Sequence, residues 1–128
     1  MADQIRTAVV GTGYFGRFHA NHYTKNPNAD LVAVVDANPD RAKAMAEEFG
    51  AEALTDHREI YGKVDAASVA VPTPYHFDVA RDLIDAGLHV NVEKPITETV
   101  EQAQVLTKLA EERGTILQVG HIERYSAA

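Results

Sequence analysis

Arg6-Thr7-Ala8-Val9-Val10-Gly11-Thr12-Gly13-Tyr14-Phe15-Gly16 begins as an apolar run and ends in three glycines with the spacing G-x-G-x-x-G. Thr7 to Val10 reads as a buried strand, and the residues after Gly13 read as a helix. Gly11 suits the tight turn that leaves the strand. Gly13 has no Cβ, so the backbone can approach a pyrophosphate, and Gly16 lets the helix pack on the strand. The free N–H groups of the first helical turn then face an anion, with the positive end of the helix dipole behind them. The spacing has several owners, so the rest of the chain determines what it means.

Helical spacing follows the glycines: Phe15, Phe18 and His22 recur on one face before Asn26-Pro27-Asn28 breaks the segment. Leu31 to Val35 is continuously apolar, as a parallel strand covered on both faces should be, and it ends at Asp36. Asn38 caps a helix that starts at Pro39, buries Ala42, Met45, Ala46 and Phe49, and stops at Gly50. Glu52 to Leu54 reads as a short strand, Tyr61 to Asp65 as connection, and Ala66 to Val71 as a further strand.

In Pro72-Thr73-Pro74 the pattern predicts Thr73 as N-cap of a helix with Ala80, Leu83, Ile84 and Leu88 inward, ended by Gly87. His89 to Val92 is a strand leading into Glu93-Lys94-Pro95. Thr99 and Gln102 have capping-box spacing before a helix that turns Val100, Ala103, Leu106 and Leu109 inward; Arg113-Gly114 closes it. Ile116 to Val119 is the last strand. This alternation predicts a doubly wound parallel sheet, an α/β Rossmann fold in a single domain.

The composition fits that reading. The chain has 128 residues, 45% hydrophobic and 24% charged, enough for one domain with a real core. A net charge of −7 provides no basic field for nucleic acid or anionic lipid, so any phosphate must be held mainly by backbone N–H groups. No cysteine is present, which removes disulfides and thiolate metal sites and suits a reducing compartment. Neither a signal-peptide run nor a membrane-spanning segment is evident, and a cytoplasmic protein is expected.

Asp36 stands twenty residues beyond Gly16, where a dinucleotide fold places the acid that bonds the adenosine ribose hydroxyls. The plainer alternative is a turn aspartate. A carboxylate there repels a 2′-phosphate, so NAD is expected, while Arg41 leaves room for NADP. Lys94 leaves the fifth strand at the carboxyl edge of the sheet. It is either a proton-transferring lysine beside the nicotinamide ribose or a solvated loop lysine paired with Glu93. His76 reaches the same edge or serves structure. His19 and His22 have metal-like spacing without further ligands and read as packing and surface residues; no metal is expected. His57 and His89 carry no signal. His121, Glu123 and Arg124 follow the last strand.

The order Gly11-Thr12-Gly13-Tyr14-Phe15-Gly16-Arg17-Phe18-His19, then Pro72-Thr73-Pro74-Tyr75-His76, then Gly87-Leu88-His89-Val90-Asn91-Val92-Glu93-Lys94-Pro95 resembles the Gfo/Idh/MocA family of glucose–fructose oxidoreductase and inositol dehydrogenase. The tail from Val119 to Tyr125 is similar to its nucleotide-sugar branch, although Arg124-Tyr125-Ser126-Ala127 replaces the usual Arg-Phe-Asn-Pro. The resemblance implies an oxidoreductase that moves a hydride between NAD(P) and a carbon of a sugar, inositol or nucleotide sugar. It assigns Lys94 to catalysis, and it places Gly11, Thr12, Gly13, Tyr14, Phe15, Gly16, Asp36, Pro72, Thr73, His76, Glu93, Lys94 and Pro95 around the cofactor. Family enzymes continue into a second, substrate-binding domain. Residues 1–120 are therefore expected to form the cofactor domain and 121–128 an exit segment toward that missing part, leaving this chain catalytically incomplete. Members often form dimers or tetramers through the second domain, so a homo-oligomer stays an open expectation. A non-catalytic dinucleotide-binding module and a domain of an NAD-dependent redox glycosidase are the alternatives.

Overall fold

A computed structural model describes residues 4–120; the expectations for His121, Glu123, Arg124 and the exit segment lie outside the described residues. The elements are β1 (Ile5–Val10), α1 (Tyr14–Lys25), β2 (Ala29–Val35), α2 (Pro39–Phe49), β3 (Glu52–Leu54), a 3-10 turn (His57–Ile60), β4 (Ala66–Val69), a second 3-10 turn (Thr73–Tyr75), α3 (His76–Asp85), β5 (His89–Glu93), α4 (Val100–Arg113) and β6 (Leu117–Gly120). The six strands pair in parallel in the order β3-β2-β1-β4-β5-β6. Successive strands first run outward from β1 on one side and then, from β4, on the other. The order reverses between β1 and β4, the place where a doubly wound sheet opens a crevice at its carboxyl edge. This is the predicted Rossmann architecture.

Strand alternation distributes the apolar runs over two cores. Val9, Leu31 and Val34 face α1 and α2, where Ala20, Met45 and Ala46 meet them. Ala8, Val10, Val35, Val69, Val90 and Val92 face the opposite way, onto Leu83 and Ile84 of α3 and Leu106 and Ala110 of α4. Both faces of β1 and β2 are thus covered, which is why their sequences show no polar alternation.

Caps set most helix boundaries as expected. The Asn38 side chain accepts from the N–H groups of Asp40 and Arg41, and left-handed glycines close α2 at Gly50 and α4 at Gly114. Several local expectations are corrected. The buried face of α1 is Gly16, His19 and Ala20, not a stripe through Phe15: Phe15 is exposed, while His19 packs and His22 lies at the surface as expected. Thr73 caps nothing: Pro72 precedes the 3-10 turn, and α3 begins at His76 without a side-chain cap. Val100 is 70% exposed, because Leu106 and Ala110 carry the contact of α4 instead. The strand expected to reach Val71 ends at Val69. The Thr99 hydroxyl does accept from the Gln102 N–H at 3.1 Å, but Gln102 Oε1 is buried without a partner, so no reciprocal capping box forms.

Candidate functional site

Two of the three glycines are demanded by the protein itself. Gly11 has φ +109°, and a Cβ there would lie 2.6 Å from the Ala70 carbonyl oxygen. A Cβ on Gly16 would lie 1.9 Å from the Gly11 carbonyl oxygen. Gly13 differs: the nearest atom to a Cβ there is Arg41 Nη2, at 3.9 Å. No protein group requires a glycine at that position, so the space in front of it is available to a ligand. No side chain caps α1 behind it and its first turn holds no acid, whereas α2 and α4 have both. The turn therefore presents free N–H groups and a helix dipole to an open space, as an anion seat requires.

Asp36, at the exit of β2, is held in a fixed orientation. Its Oδ2 accepts from the Thr12 backbone N–H at 3.2 Å and from the Thr12 hydroxyl; Oδ1 accepts from the Asn38 N–H at 2.9 Å. Partial burial opposes its ionisation. The Thr12 hydroxyl, the Asn38 and Thr12 N–H groups and the Arg41 charge outweigh that, and the carboxyl sits below its ordinary range. Arg41 Nε is 3.9 Å from Oδ2, a loose pairing that leaves the guanidinium free to move. A charged, oriented carboxylate can accept from two vicinal hydroxyls at once.

One cleft of about 830 Å³ joins these parts along the carboxyl edge. Gly11, Thr12, Gly13, Tyr14, Phe15, Asp36, Pro72, Thr73, His76, Glu93 and Lys94 all line it. Two of the residues expected around the cofactor do not: Gly16 is buried beneath the turn, and Pro95 follows Lys94 with its carbonyl oxygen 2.9 Å from His76 Nδ1. Lys94 is exposed and has no side-chain partner among the described residues. The alternative pairing with Glu93 does not occur, because Glu93 is buried and accepts from His19 Nε2 on α1. A group of residues suited to a metal is not found among the described residues.

Comparison with known proteins agrees with this architecture. Residues 5–121 match the family described as an oxidoreductase family with an NAD-binding Rossmann fold. This chain belongs to the Gfo/Idh/MocA oxidoreductase family. It is 40% identical over 97% of its length to UDP-N-acetylglucosamine 3-dehydrogenase of Acidithiobacillus ferrooxidans, covering 39% of that protein. It is 36% identical over its full length to scyllo-inositol 2-dehydrogenase (NAD(+)) of Bacillus subtilis, again covering 39% of the relative. The crystal structure of GenD2 from gentamicin A biosynthesis, in complex with NAD, superposes with a TM-score of 0.89 at 36% identity; 94% of this chain and 35% of that one are covered. The chain thus spans about two fifths of the length of the curated relatives it matches.

This Gfo/Idh/MocA domain also places a segment in the cleft that the sequence reading did not assign. Thr55, Asp56, His57 and Arg58, after β3, form part of the wall beside Asp36. Asp56 caps the 3-10 turn with a full capping box to Glu59, and His57 Nε2 lies 2.8 Å from Asp82 Oδ2 on α3. The Asp56-x-x-Glu59 spacing was a legible signal for an ordered turn there. Its position beside the cleft follows only from the tertiary fold.

Proposed function

We propose that this domain binds NAD along the carboxyl edge as the cofactor half of a dehydrogenase acting on a secondary alcohol of a sugar, inositol or nucleotide sugar. The observation that carries the proposal is one cleft with a fixed, ionised Asp36 at one end, the open Gly13 turn in its middle and, at the other end, Lys94, which has no side-chain partner among the described residues. That order of groups fits a dinucleotide: adenosine ribose, pyrophosphate, nicotinamide ribose. Asp36 accepts from both ribose hydroxyls and disfavours a 2′-phosphate, while Arg41 gives NADP a weaker foothold. The glycine turn takes the pyrophosphate through backbone N–H groups, which suits a chain of net charge −7. Pro72 and Thr73 form the adjoining wall.

Bound nicotinamide supplies the two-electron acceptor for a carbon-bound hydrogen. Lys94, without an ion pair among the described residues, orients the substrate hydroxyl and takes or returns its proton. Both named curated relatives are dehydrogenases of polyhydroxylated rings, which supports the substrate class. Calorimetric titration with NAD, NADH and NADP tests the cofactor reading: tighter binding of NAD than of NADP is expected, and no heat with either dinucleotide at millimolar concentration overturns it.

A further inference from the structure

Lysine ends in a single charge on four rotatable bonds, so a lysine that acts on a defined atom must be positioned largely through its backbone. Lys94 has no side-chain partner among the described residues, yet the chain around it is fastened at successive points. On one side Glu93 is buried and tied to His19 of α1. The Lys94 N–H itself donates to the Gly120 carbonyl oxygen at 3.1 Å. On the other side the Pro95 and Ile96 carbonyl oxygens lie 2.9 and 3.3 Å from His76 Nδ1.

His76 is only 2% exposed, and its second nitrogen, Nε2, is 2.8 Å from the Val71 carbonyl oxygen. Both nitrogens are therefore directed at main-chain acceptors. A neutral ring donates to one side or the other, and the doubly protonated ring donates to both. In neither state does a nitrogen remain for a ligand. The ring instead joins two strand exits: the segment after β4, which carries Pro72 and Thr73, and the segment after β5, which carries Lys94.

We infer that His76 is a positioning residue, acting on the cofactor's nicotinamide ribose only through Lys94. The inference rests on the NAD reading above and deepens it. Although His76 borders the cleft, its role is to hold the Lys94-Pro95-Ile96 backbone at a set distance from the glycine turn, while the His19–Glu93 pair fixes the preceding residue.

A double-mutant cycle on the 128-residue chain tests it, with NADH and ADP as probes; ADP keeps the adenosine and pyrophosphate but lacks the nicotinamide ribose. His76→Phe is expected to weaken NADH about tenfold and ADP less than about twofold. In a Lys94→Ala background the same change is expected to alter NADH binding by less than about twofold, because the group it positions is gone. His76→Gln, which keeps one amide donor, is expected to recover part of the loss, and it carries the cycle if the Phe variant does not fold. Equal losses for NADH and ADP, a loss that persists in the Lys94→Ala background, or no loss at all overturns the inference. A wild-type chain that binds neither probe overturns the cofactor reading beneath it.

Discussion

Asp36 is the side chain on which the proposed cofactor preference rests. Its three internal hydrogen bonds all come from groups fixed by the fold, Thr12 in the glycine turn and the Asn38 N–H ahead of α2, so the carboxylate is oriented before any ligand arrives. Replacing Asp36 by Ala should weaken NAD by about tenfold, the scale of a charged hydrogen-bond pair, and NADP by less, because Arg41 is then free to meet a 2′-phosphate. Calorimetry with both cofactors checks this; an unchanged preference refutes the ribose assignment. The same bonds also give a pH signature. Asp36 has a folded-state pKa below its ordinary value, so its bonds contribute their full stability above the unfolded carboxylate pKa of about 3.9. That contribution is lost as pH falls through the lower folded value. The Tm difference between wild type and Asp36→Asn should therefore narrow as pH is lowered from about 7 toward about 3. A constant difference over that range argues that the bonds do not favour the ionised form.

At the level of elements, the β1-turn-α1 unit shows which parts of a motif serve the fold and which serve the ligand. Gly16→Ala forces a Cβ into the Gly11 carbonyl and should cost more than about 2 kcal/mol in denaturant unfolding. Gly13→Ala meets only a distant Arg41 tip and should cost less than about 1 kcal/mol as a helix N-cap change, while cutting NADH affinity sharply. Equal stability losses for the two would contradict this division. Caps such as Asn38 and closing glycines such as Gly50 and Gly114 were readable from sequence because their chemistry is local. Asp36 and Lys94 were readable because an open parallel sheet puts strand exits in one crevice. The buried face of α1 was legible only in part: Gly16 and His19 read as packing residues, but the helical spacing of Phe15 and Phe18 suggested an apolar stripe, and Phe15 is exposed. The partnership of His19 with Glu93 was hidden, since it joins residues 74 apart across two elements.

At the scale of the whole described domain, the cleft is open at the end where Lys94 stands. Tyr14 is 76% exposed and Tyr75 59%, and both stand at the rim with Phe15 and the exposed Lys94. Large aromatic groups at a cleft mouth mark a surface suited to a further contact, by substrate or by protein. Among the described residues, nothing spans from Tyr14 to Tyr75 to exclude water from the space in front of Lys94. Hydride transfer depends on a dry site and on a substrate carbon held within reach of the nicotinamide, and misplacement by about 1 Å can cost a hundredfold in rate. On the proposed reading cofactor affinity makes no such demand, because Asp36 and the Gly13 turn lie at the opposite end and in the middle of the cleft. Binding and turnover should therefore separate in this chain. NADH fluorescence titration should give saturable binding. NADH production from NAD with UDP-N-acetylglucosamine or an inositol should run at least about a thousandfold below that of a full-length relative such as the Acidithiobacillus ferrooxidans dehydrogenase. Turnover within about tenfold of that relative would show that the described cleft is sufficient to orient and desolvate a substrate on its own.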